Sequence, residues 1–246
     1  MPIKFYKKLG ETSFQCIERF REENPEYKDQ KIAFAGRLDP MAEGEMLFLT
    51  GEETKRKDDF LGLDKVYETE IIFGMETDSF DLMGITKQIN NSKLIVDNLE
   101  EKVREIIKSK VGKQMQKFPP FSKRHVQGKA LFVWASEGRL DEIEIPEHEV
   151  EIYSIDILNF SEKSFEEIKE NSIERIKNVS GDFRQDKIIN NWNSLDIDNK
   201  RLFPTVTLKI FCSTGTYIRQ LAHDLGQELG CGAIVFSIKR TEIKSR

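Results

Sequence analysis

The sequence predicts an α+β fold, because segments with strand and helix patterns are mixed along it without a regular alternation of the two. Residues 204–212 alternate apolar and polar side chains as a strand does, whereas 216–229 carry apolar side chains at helical spacing. With 246 residues, 38% of them hydrophobic and 17 of them Phe, the chain can bury a sizeable core without disulfides. We expect a single domain over residues 1–246.

The N-terminal part of the chain is predicted to form a helix, a loop and a strand. Thr12 or Ser13 can cap the helix. Its apolar face carries three side chains at helical spacing, Phe14, Ile17 and Phe20. Glycines within 35–51 predict a loop that leads into an apolar piece at 46–49, and the β-branched and aromatic side chains of 65–73 are typical of a strand.

The middle of the chain is predicted to contain a turn-rich segment, one long helix and two strands. Residues 74–92 are rich in turn-forming and acidic residues, and Ser92 can cap a helix that Gly112 ends. The apolar stripe of this helix consists of Ile95, Leu99, Val103, Ile106 and Ile107. The two strands are expected over 129–135 and 149–160.

The C-terminal part is predicted to contain an insertion before the last elements. Residues 161–200 are rich in Asn, Glu and Lys, and we expect most of them to form a surface insertion. The spacing of Ile168, Ile173 and Ile176 predicts one helix within it. The remaining elements are a strand over 204–212, an amphipathic helix over 216–229 that Gly230 ends, and a strand over 234–240.

Cysteine, histidine and hydropathy patterns exclude several classes of protein. The three cysteines and three histidines are scattered, without the spacing of a disulfide framework or a metal site. No apolar run approaches the ~18 residues that a membrane span needs, and the N-terminus lacks the apolar core of a signal peptide. We therefore expect a cytoplasmic protein without a membrane partner.

The charge distribution points to a polyanionic partner despite a net charge of −5. Residues 108–129 carry seven Lys or Arg and no Asp or Glu, and we call this segment the basic strip. Phe118 and Phe121 interleave with its charges, as suits a surface that binds phosphates and stacks on bases. The alternative is a solvated loop whose lysines balance acidic residues elsewhere.

One aspartate stands in a constrained segment, Gly36-Arg37-Leu38-Asp39-Pro40-Met41-Ala42-Glu43-Gly44. Pro40 restricts Asp39 to extended dihedrals, which fixes the direction of one carboxylate. In isolation such an aspartate is more often an ordinary turn residue.

Further segments change the balance between these two interpretations. They are Gly51-Glu52-Glu53-Thr54-Lys55, Lys65-Val66-Tyr67 followed by Gly74 to Gly84, and Ser213-Thr214-Gly215-Thr216-Tyr217-Ile218-Arg219. In this order the set resembles the TruB family of pseudouridine synthases, whose motifs read G-x-L-D-P-x-A-x-G, G-x-x-T-K, K-x-Y, G-x-x-T-D-T-x-D-x-x-G and S-x-G-T-Y-I-R. The resemblance extends from about Lys7 to Arg240.

The resemblance implies a pseudouridine synthase fold, with a mixed, mainly antiparallel sheet flanked by helices and a central RNA-binding cleft. It implies isomerisation of a uridine in the T-arm of tRNA. This reaction has no net redox change and no water in its product, so we expect no cofactor and no metal. Nothing in the sequence requires a dimer, and we expect a monomer. Asp39 would be the catalytic aspartate and Arg219 its partner. Tyr67 would lie on the target base as a candidate for proton transfer, and Ile238 would contact that base. Further substrate contacts are expected from Arg37, Lys55, Lys65, Lys113, Lys117, Lys123, Arg124 and Tyr217.

The chain also departs from the family pattern. The usual G-H-x-G before the aspartate reads Ala33-Phe34-Ala35-Gly36, and Arg37 replaces a threonine. The C-terminal RNA-binding module that bacterial relatives carry does not fit within 246 residues.

Two other functions remain open at this point. The first is a non-catalytic RNA-binding or tRNA-folding protein, which the missing histidine and missing module would suit. The second is a magnesium-dependent phosphodiesterase that uses Asp39, Asp78 and Asp81. We prefer to interpret Asp78 and Asp81 as turn formers that contact backbone amides.

Overall fold

The computed structural model describes residues 2–89 and 98–244. Its strands are β1 (Ile3–Lys7), β2 (Ile32–Ala35), β3 (Ala42–Thr50), β4 (Asp64–Phe73), β5 (Met75–Thr77), β6 (Thr86–Ile89), β7 (Gly112–Lys117), β8 (His125–Val126), β9 (Lys129–Ala130), β10 (Glu147–Ser164), β11 (Leu202–Cys212) and β12 (Ala233–Lys244). Its helices are α1 (Ser13–Glu23), α2 (Lys57–Leu61), α3 (Leu99–Ser109), α4 (Leu131–Ser136), α5 (Phe165–Lys177), α6 (Gln185–Ser194) and α7 (Ile218–Glu228). Short 3₁₀ helices cover Pro25–Tyr27, Gly51–Arg56 and Leu140–Glu142.

One large sheet organises the fold. Its strands follow the order β1-β3-β12-β4-β11-β10-β7, and β2 pairs with β3. The pairing of β3 with β12 is parallel, whereas the other pairings are antiparallel. The prediction of an α+β fold with a mixed, mainly antiparallel sheet is thus confirmed. In the described part of the chain, we find no helix with the length and hydropathy that a membrane span requires.

Alternation along the central strands sends side chains into two separate cores. Ile71 on β4 and Val235 on β12 lie in a core that α1, α3 and α7 cover. Their sequence neighbours Ile72 and Ile234 lie in a second core, which α5 and α6 cover. This division follows from the pleat of a strand, which points successive side chains to opposite faces.

The first helix begins as predicted and buries two of the three side chains that were expected on its apolar face. Thr12 caps it, because its hydroxyl accepts from the Gln15 amide while the Gln15 side chain accepts from the Thr12 amide. The buried apolar side chains are Cys16, Ile17 and Phe20. Phe14 is 59% exposed, so its predicted place on the apolar face is wrong.

The middle of the chain differs from the prediction in two details. Helix α3 ends at Ser109 rather than at Gly112, and Ser92 and Ile95 lie outside the described residues. The predicted strand over 129–135 is limited to β9, and the helix α4 follows it. Leu131 and Trp134 are buried at helical spacing there, so the apolar run serves a helix.

The prediction of a surface insertion over 161–200 is wrong. The segment begins with the end of β10 and continues through α5 and α6. Five of its hydrophobic side chains are completely buried: Phe165, Ile168, Ile176, Ile188 and Trp192. They pack with sheet residues in the second core, so this helical hairpin, as we call residues 165–201, is an integral part of the fold.

Candidate active site

Asp39 lies on the loop between β2 and β3, where several elements meet. Its side chain is 47% exposed, although Leu38 beside it is buried. Backbone contacts fix the loop, because Gly10 N donates to Pro40 O over 2.9 Å and Ala42 N donates to Asp39 O over 3.0 Å. A carboxylate held in this way is accessible to a substrate and has a defined position.

Two buried cations hold the same loop by its carbonyl oxygens. Lys7 is completely buried and donates to Ala42 O at 2.6 Å and to Pro40 O at 3.4 Å. On the other side of Asp39, the Arg240 guanidinium is 1% exposed and donates to Gly36 O and Arg37 O, each at 3.3 Å. Burial lowers the pKa of Lys7 to about 8.

Arg219 provides the direct partner of Asp39. It lies in the first turn of α7, is 4% exposed, and contacts Asp39 Oδ2 through Nε at 2.9 Å and through Nη2 at 2.8 Å. Both contacts involve the same carboxylate oxygen. The predicted pairing of these two residues, 180 positions apart, is therefore present in the structure.

The rest of the guanidinium is held by two other loops. Nη1 donates to Ser79 O at 2.7 Å in the turn between β5 and β6, and Nη2 donates to Phe121 O at 3.2 Å in the basic strip. Asp81 Oδ2 lies 3.7 Å from Nε. Burial alone would lower the pKa of Arg219, but Asp39 and Asp81 outweigh it and raise that pKa, so the guanidinium stays charged.

Tyr67 and Ile238 lie on neighbouring strands of the sheet beside this ion pair. Both side chains are 8% exposed. Ile238 lines a small cavity together with Asp39, Met41 and Asp81. Burial raises the pKa of the Tyr67 hydroxyl despite the nearby Arg240 guanidinium, so the side chain stays neutral near neutral pH.

Several predicted RNA contacts lie close to Asp39. Burial and the charge of Arg37 lower the pKa of Lys123, while the charge of Asp39 opposes the shift. Burial and the charge of Asp39 raise the pKa of Tyr217 at the start of α7. Arg124 lies over the Phe118 ring, with Cζ 5.2 Å from the ring centroid.

Other predicted substrate contacts have different partners. Lys65 is 4% exposed and directs its ammonium to Leu61 O, Leu63 O and Thr214 Oγ1, so its predicted role as a substrate contact is wrong. Lys55 is exposed and pairs with Glu52 at 2.5 Å.

The predicted contacts on β7 lie at an edge of the large sheet. Lys113 pairs there with Glu149 at 3.6 Å, and Lys117 is exposed at the end of the strand. These two lysines therefore lie on the edge strand and not on the loop that carries Lys123 and Arg124.

Asp78 and Asp81 act as the turn formers that the sequence predicts. Asp78 Oδ1 accepts from Ile85 N at 2.8 Å, and Asp81 Oδ1 accepts from Met83 N at 3.0 Å. Arginines complete both sites, since Arg184 Nη1 lies 2.8 Å from Asp78 Oδ2 and Arg219 approaches Asp81. Burial raises the pKa of Asp81, although Arg219 and Ser79 oppose the shift.

Sequence reasoning missed three residues that hold the loops of the site in place. Lys7 and Arg240 marked only the ends of the resemblance, and Arg184 lies in the segment that was predicted to be a surface insertion. Each donates mainly to backbone carbonyls or to a distant carboxylate, and such partners leave no pattern in the sequence.

Comparison with known proteins identifies the relatives of this fold and site. Residues 25–174 match the family model described as TruB family pseudouridylate synthase (N terminal domain). The chain is 31% identical to tRNA pseudouridine synthase B of Parabacteroides distasonis, over 98% of this chain and 84% of the relative. It is 29% identical to the protein of the same name from Clostridium acetobutylicum, over 97% of this chain and 65% of that one.

Solved structures show the same fold at lower sequence identity. A chain of a Cbf5-Nop10-Gar1 complex superimposes with a TM-score of 0.58 and 17% identity. A chain of an H/ACA RNP bound to a substrate RNA containing 2′-deoxyuridine gives 0.55 and 16%. Both matches cover 98% of this chain, which spans about half the length of each solved chain.

Proposed function

The chain belongs to the TruB family of pseudouridylate synthases, and we propose that it converts a uridine in the T-arm loop of tRNA into pseudouridine through Asp39. The observation that carries this proposal is the half-exposed Asp39 carboxylate, held through one oxygen by a buried arginine beside a small cavity. We further propose that the enzyme acts as a monomer in the cytoplasm.

The reaction suits a site with one reactive carboxylate. The base must leave C1′ of the ribose, turn, and rejoin it through C5, so that no atom is gained or lost. An ionised carboxylate can attack the sugar or the base, or it can stabilise a cationic sugar while the base turns. A glycosidase needs a second carboxyl group, because it also activates water, whereas an isomerase that keeps its base does not.

Arg219 would hold Asp39 in its reactive orientation. Its contacts to Asp39 Oδ2 would leave Oδ1 for the substrate, and its contacts to Ser79 O and Phe121 O would keep the guanidinium in place. A charge-assisted hydrogen bond of this kind favours the ionised form of the acid and has a strong directional preference.

Tyr67 and Ile238 would hold the target base after it leaves its stack. Extraction of a base from an RNA loop costs a few kcal/mol, and an aromatic contact returns about 1–3 kcal/mol. Because its pKa is raised by burial, the Tyr67 hydroxyl would act as a hydrogen-bond or proton donor rather than as a base.

Positive and aromatic side chains around Asp39 would bind the RNA backbone and neighbouring bases. Arg37, Lys123 and Arg124 are exposed on the two loops beside Asp39. The Phe118 ring stacks on His148 with centroids 4.2 Å apart and meets Tyr217 edge to face, which forms an aromatic group next to Arg124. Cations with adjacent aromatic rings match single-stranded loop RNA.

The alternative of a non-catalytic RNA-binding protein is not favoured. Binding alone does not require a buried arginine, held by two loops, to orient one carboxylate. The phosphodiesterase alternative is weakened as well, because Asp78 and Asp81 already accept backbone hydrogen bonds and contact arginines.

The substrate assignment can be tested with two RNAs. A complete tRNA and its isolated T-arm hairpin are incubated with the enzyme, and the digested nucleosides are separated by chromatography. We expect pseudouridine in both RNAs and none in a hairpin whose target uridine is replaced by cytidine. RNA that binds tightly without pseudouridine formation in either substrate would contradict the proposal.

A further inference from the structure

Arg184 is a side chain of the helical hairpin that contacts the loops of the active site. This residue precedes α6, and its guanidinium contacts both oxygens of Asp78, from Nη1 at 2.8 Å and from Nη2 at 3.3 Å. Its Cζ also lies 4.2 Å from the centroid of the Phe121 ring. Arg184 is 23% exposed and Asp78 19%, so the ion pair is largely shielded from water.

The two partners of Arg184 belong to the two loops that hold Arg219. Asp78 directly precedes Ser79, whose carbonyl accepts from Arg219 Nη1. Phe121 itself supplies the carbonyl that accepts from Nη2. Arg184 therefore links the turn between β5 and β6 to the basic strip, at the two points where these segments contact Arg219.

Two residues at this link have energetically unfavourable backbone conformations. Arg184 has φ +64°, and Phe80, next to Ser79, has φ +65°. Residues other than glycine rarely adopt this left-handed region. Such conformations persist only when their surroundings enforce them, and they concentrate at functional sites.

The rest of the hairpin holds the same turn more distantly. Trp192 Nε1 donates to Leu82 O at 3.3 Å, and Asn191 Oδ1 accepts from Thr86 N at 2.8 Å. Both contacts connect α6 to the segment that follows Asp78. The hairpin therefore stabilises the turn between β5 and β6, and Arg184 contacts this turn next to the residue that binds Arg219.

We propose that Arg184 is a positioning residue for the isomerisation: it fixes the loops of Ser79 and Phe121, which hold Arg219, which orients Asp39. This inference rests on the proposed function. Arg184 acts through other residues, so its loss should slow the chemical step at saturating RNA while RNA affinity stays the same. A small displacement of a reactive group costs up to about 100-fold in rate.

The test compares substitutions on both sides of the ion pair with a matched control. Arg184→Gln removes the charge, Arg184→Lys keeps it without the two-pronged geometry, and Asp78→Asn keeps the acceptor for Ile85 N. Lys187→Gln removes one exposed positive charge from the same helix and serves as the control. For each protein, the single-turnover rate at saturating tRNA, the RNA dissociation constant and the melting temperature are measured.

We expect Arg184→Gln and Asp78→Asn to lower the single-turnover rate by about 10- to 100-fold. The rate of Arg184→Lys should lie between those of Arg184→Gln and the wild type, and Lys187→Gln should have the wild-type rate. Dissociation constants should stay within about twofold. The double variant should lose no more than the worse single variant, because both remove the same link. If Arg184→Gln does not fold, Asp78→Asn carries the comparison.

Three results would overturn the inference. In the first, the wild type is active and the folded variants have its rate. In the second, affinity and its salt dependence fall while the saturated rate is unchanged, which would make Arg184 an RNA contact. In the third, the two single losses are additive. A wild-type protein that binds tRNA without forming pseudouridine would overturn the proposed function itself, and this inference with it.

Discussion

Buried cations have an unusual role around Asp39. Burial of a charged side chain is costly unless hydrogen bonds compensate for the lost water. Lys7, Arg240 and Arg219 are all at most 4% exposed, and each donates to backbone carbonyls of loops at the site. These side chains therefore fix the backbone that carries or orients the carboxylate.

Lys7 should leave a signature in the pH dependence of stability. Its pKa is about 8 in the folded protein against an ordinary value of 10.5. Between these values the unfolded chain keeps a proton that the folded chain has lost, so Lys7 makes stability rise with pH by about 1.4 kcal/mol per unit. We expect Lys7→Met to flatten this rise in urea unfolding at pH 8 and pH 10. The same pH dependence in both proteins would be inconsistent with a buried Lys7 of lowered pKa.

The geometry of Arg219 should matter beyond its charge. Arg219→Lys keeps a positive charge, but one ammonium cannot reproduce contacts to Asp39, Ser79 and Phe121 together. We expect the single-turnover rate to fall about 100-fold while the RNA dissociation constant is nearly unchanged. Measurement of both quantities separates orientation from charge, and a rate near that of the wild type would show that charge alone suffices.

Among the secondary-structure elements, the helical hairpin is one whose average composition gives a wrong prediction of its burial. Its exposed positions are rich in Asn, Glu and Lys, so the average composition of 161–200 resembles a solvated surface segment. The buried positions still follow helical spacing, as in Ile168, Ser172 and Ile176 on α5. The helical spacing of the buried residues therefore indicates the structure of this segment better than its average composition does.

The hairpin should therefore contribute to stability as a core element. Trp192 is completely buried, and its truncation to Ala should lower the free energy of unfolding by about 3–5 kcal/mol. Lys187→Ala, on the exposed side of the same helix, should change it by less than about 0.5 kcal/mol. Urea denaturation measures both values, and similar small effects would support a loosely attached surface insertion instead.

At the scale of the whole molecule, the sequence predicts the elements better than their assembly. The strands β4, β10 and β11 and the helix α7 were recognisable because periodicity is a local property. The Asp39–Arg219 pair was found only through the family resemblance, since no local rule joins residues 180 positions apart. The partners of Lys7, Lys65 and Arg240 are backbone carbonyls, whose positions depend on the complete fold.

The basic strip illustrates the same limit. Its charge was evident from the sequence, but the fold divides it between separate places. Three of its lysines face acidic residues, in the pairs Lys110–Glu228, Lys113–Glu149 and Lys129–Glu137. Lys123 and Arg124 belong to the part of the strip that is near Asp39.

Salt dependence of RNA binding should distinguish these parts of the strip. Each phosphate contact contributes about 0.7–0.9 to the slope of log affinity against log salt concentration. Replacement of Lys123 and Arg124 by Gln should therefore reduce the slope by about 1.5 and weaken binding. Lys129→Gln, whose lysine is already paired with Glu137, should change the slope little. Equal effects of both changes would mean that RNA covers the whole strip.

In the proposed function, the Asp39 carboxylate performs the chemistry, and RNA binding is a separate property of the surface around it. The most direct test is the Asp39→Asn variant, which keeps the size of the side chain but removes its charge. Pseudouridine formation in a T-arm hairpin and the dissociation constant of that RNA are measured side by side with the wild type. We expect no detectable pseudouridine and a dissociation constant within about threefold of the wild-type value, because one half-exposed charge contributes little to binding. Pseudouridine formation by the variant at a rate near that of the wild type would contradict the proposed function.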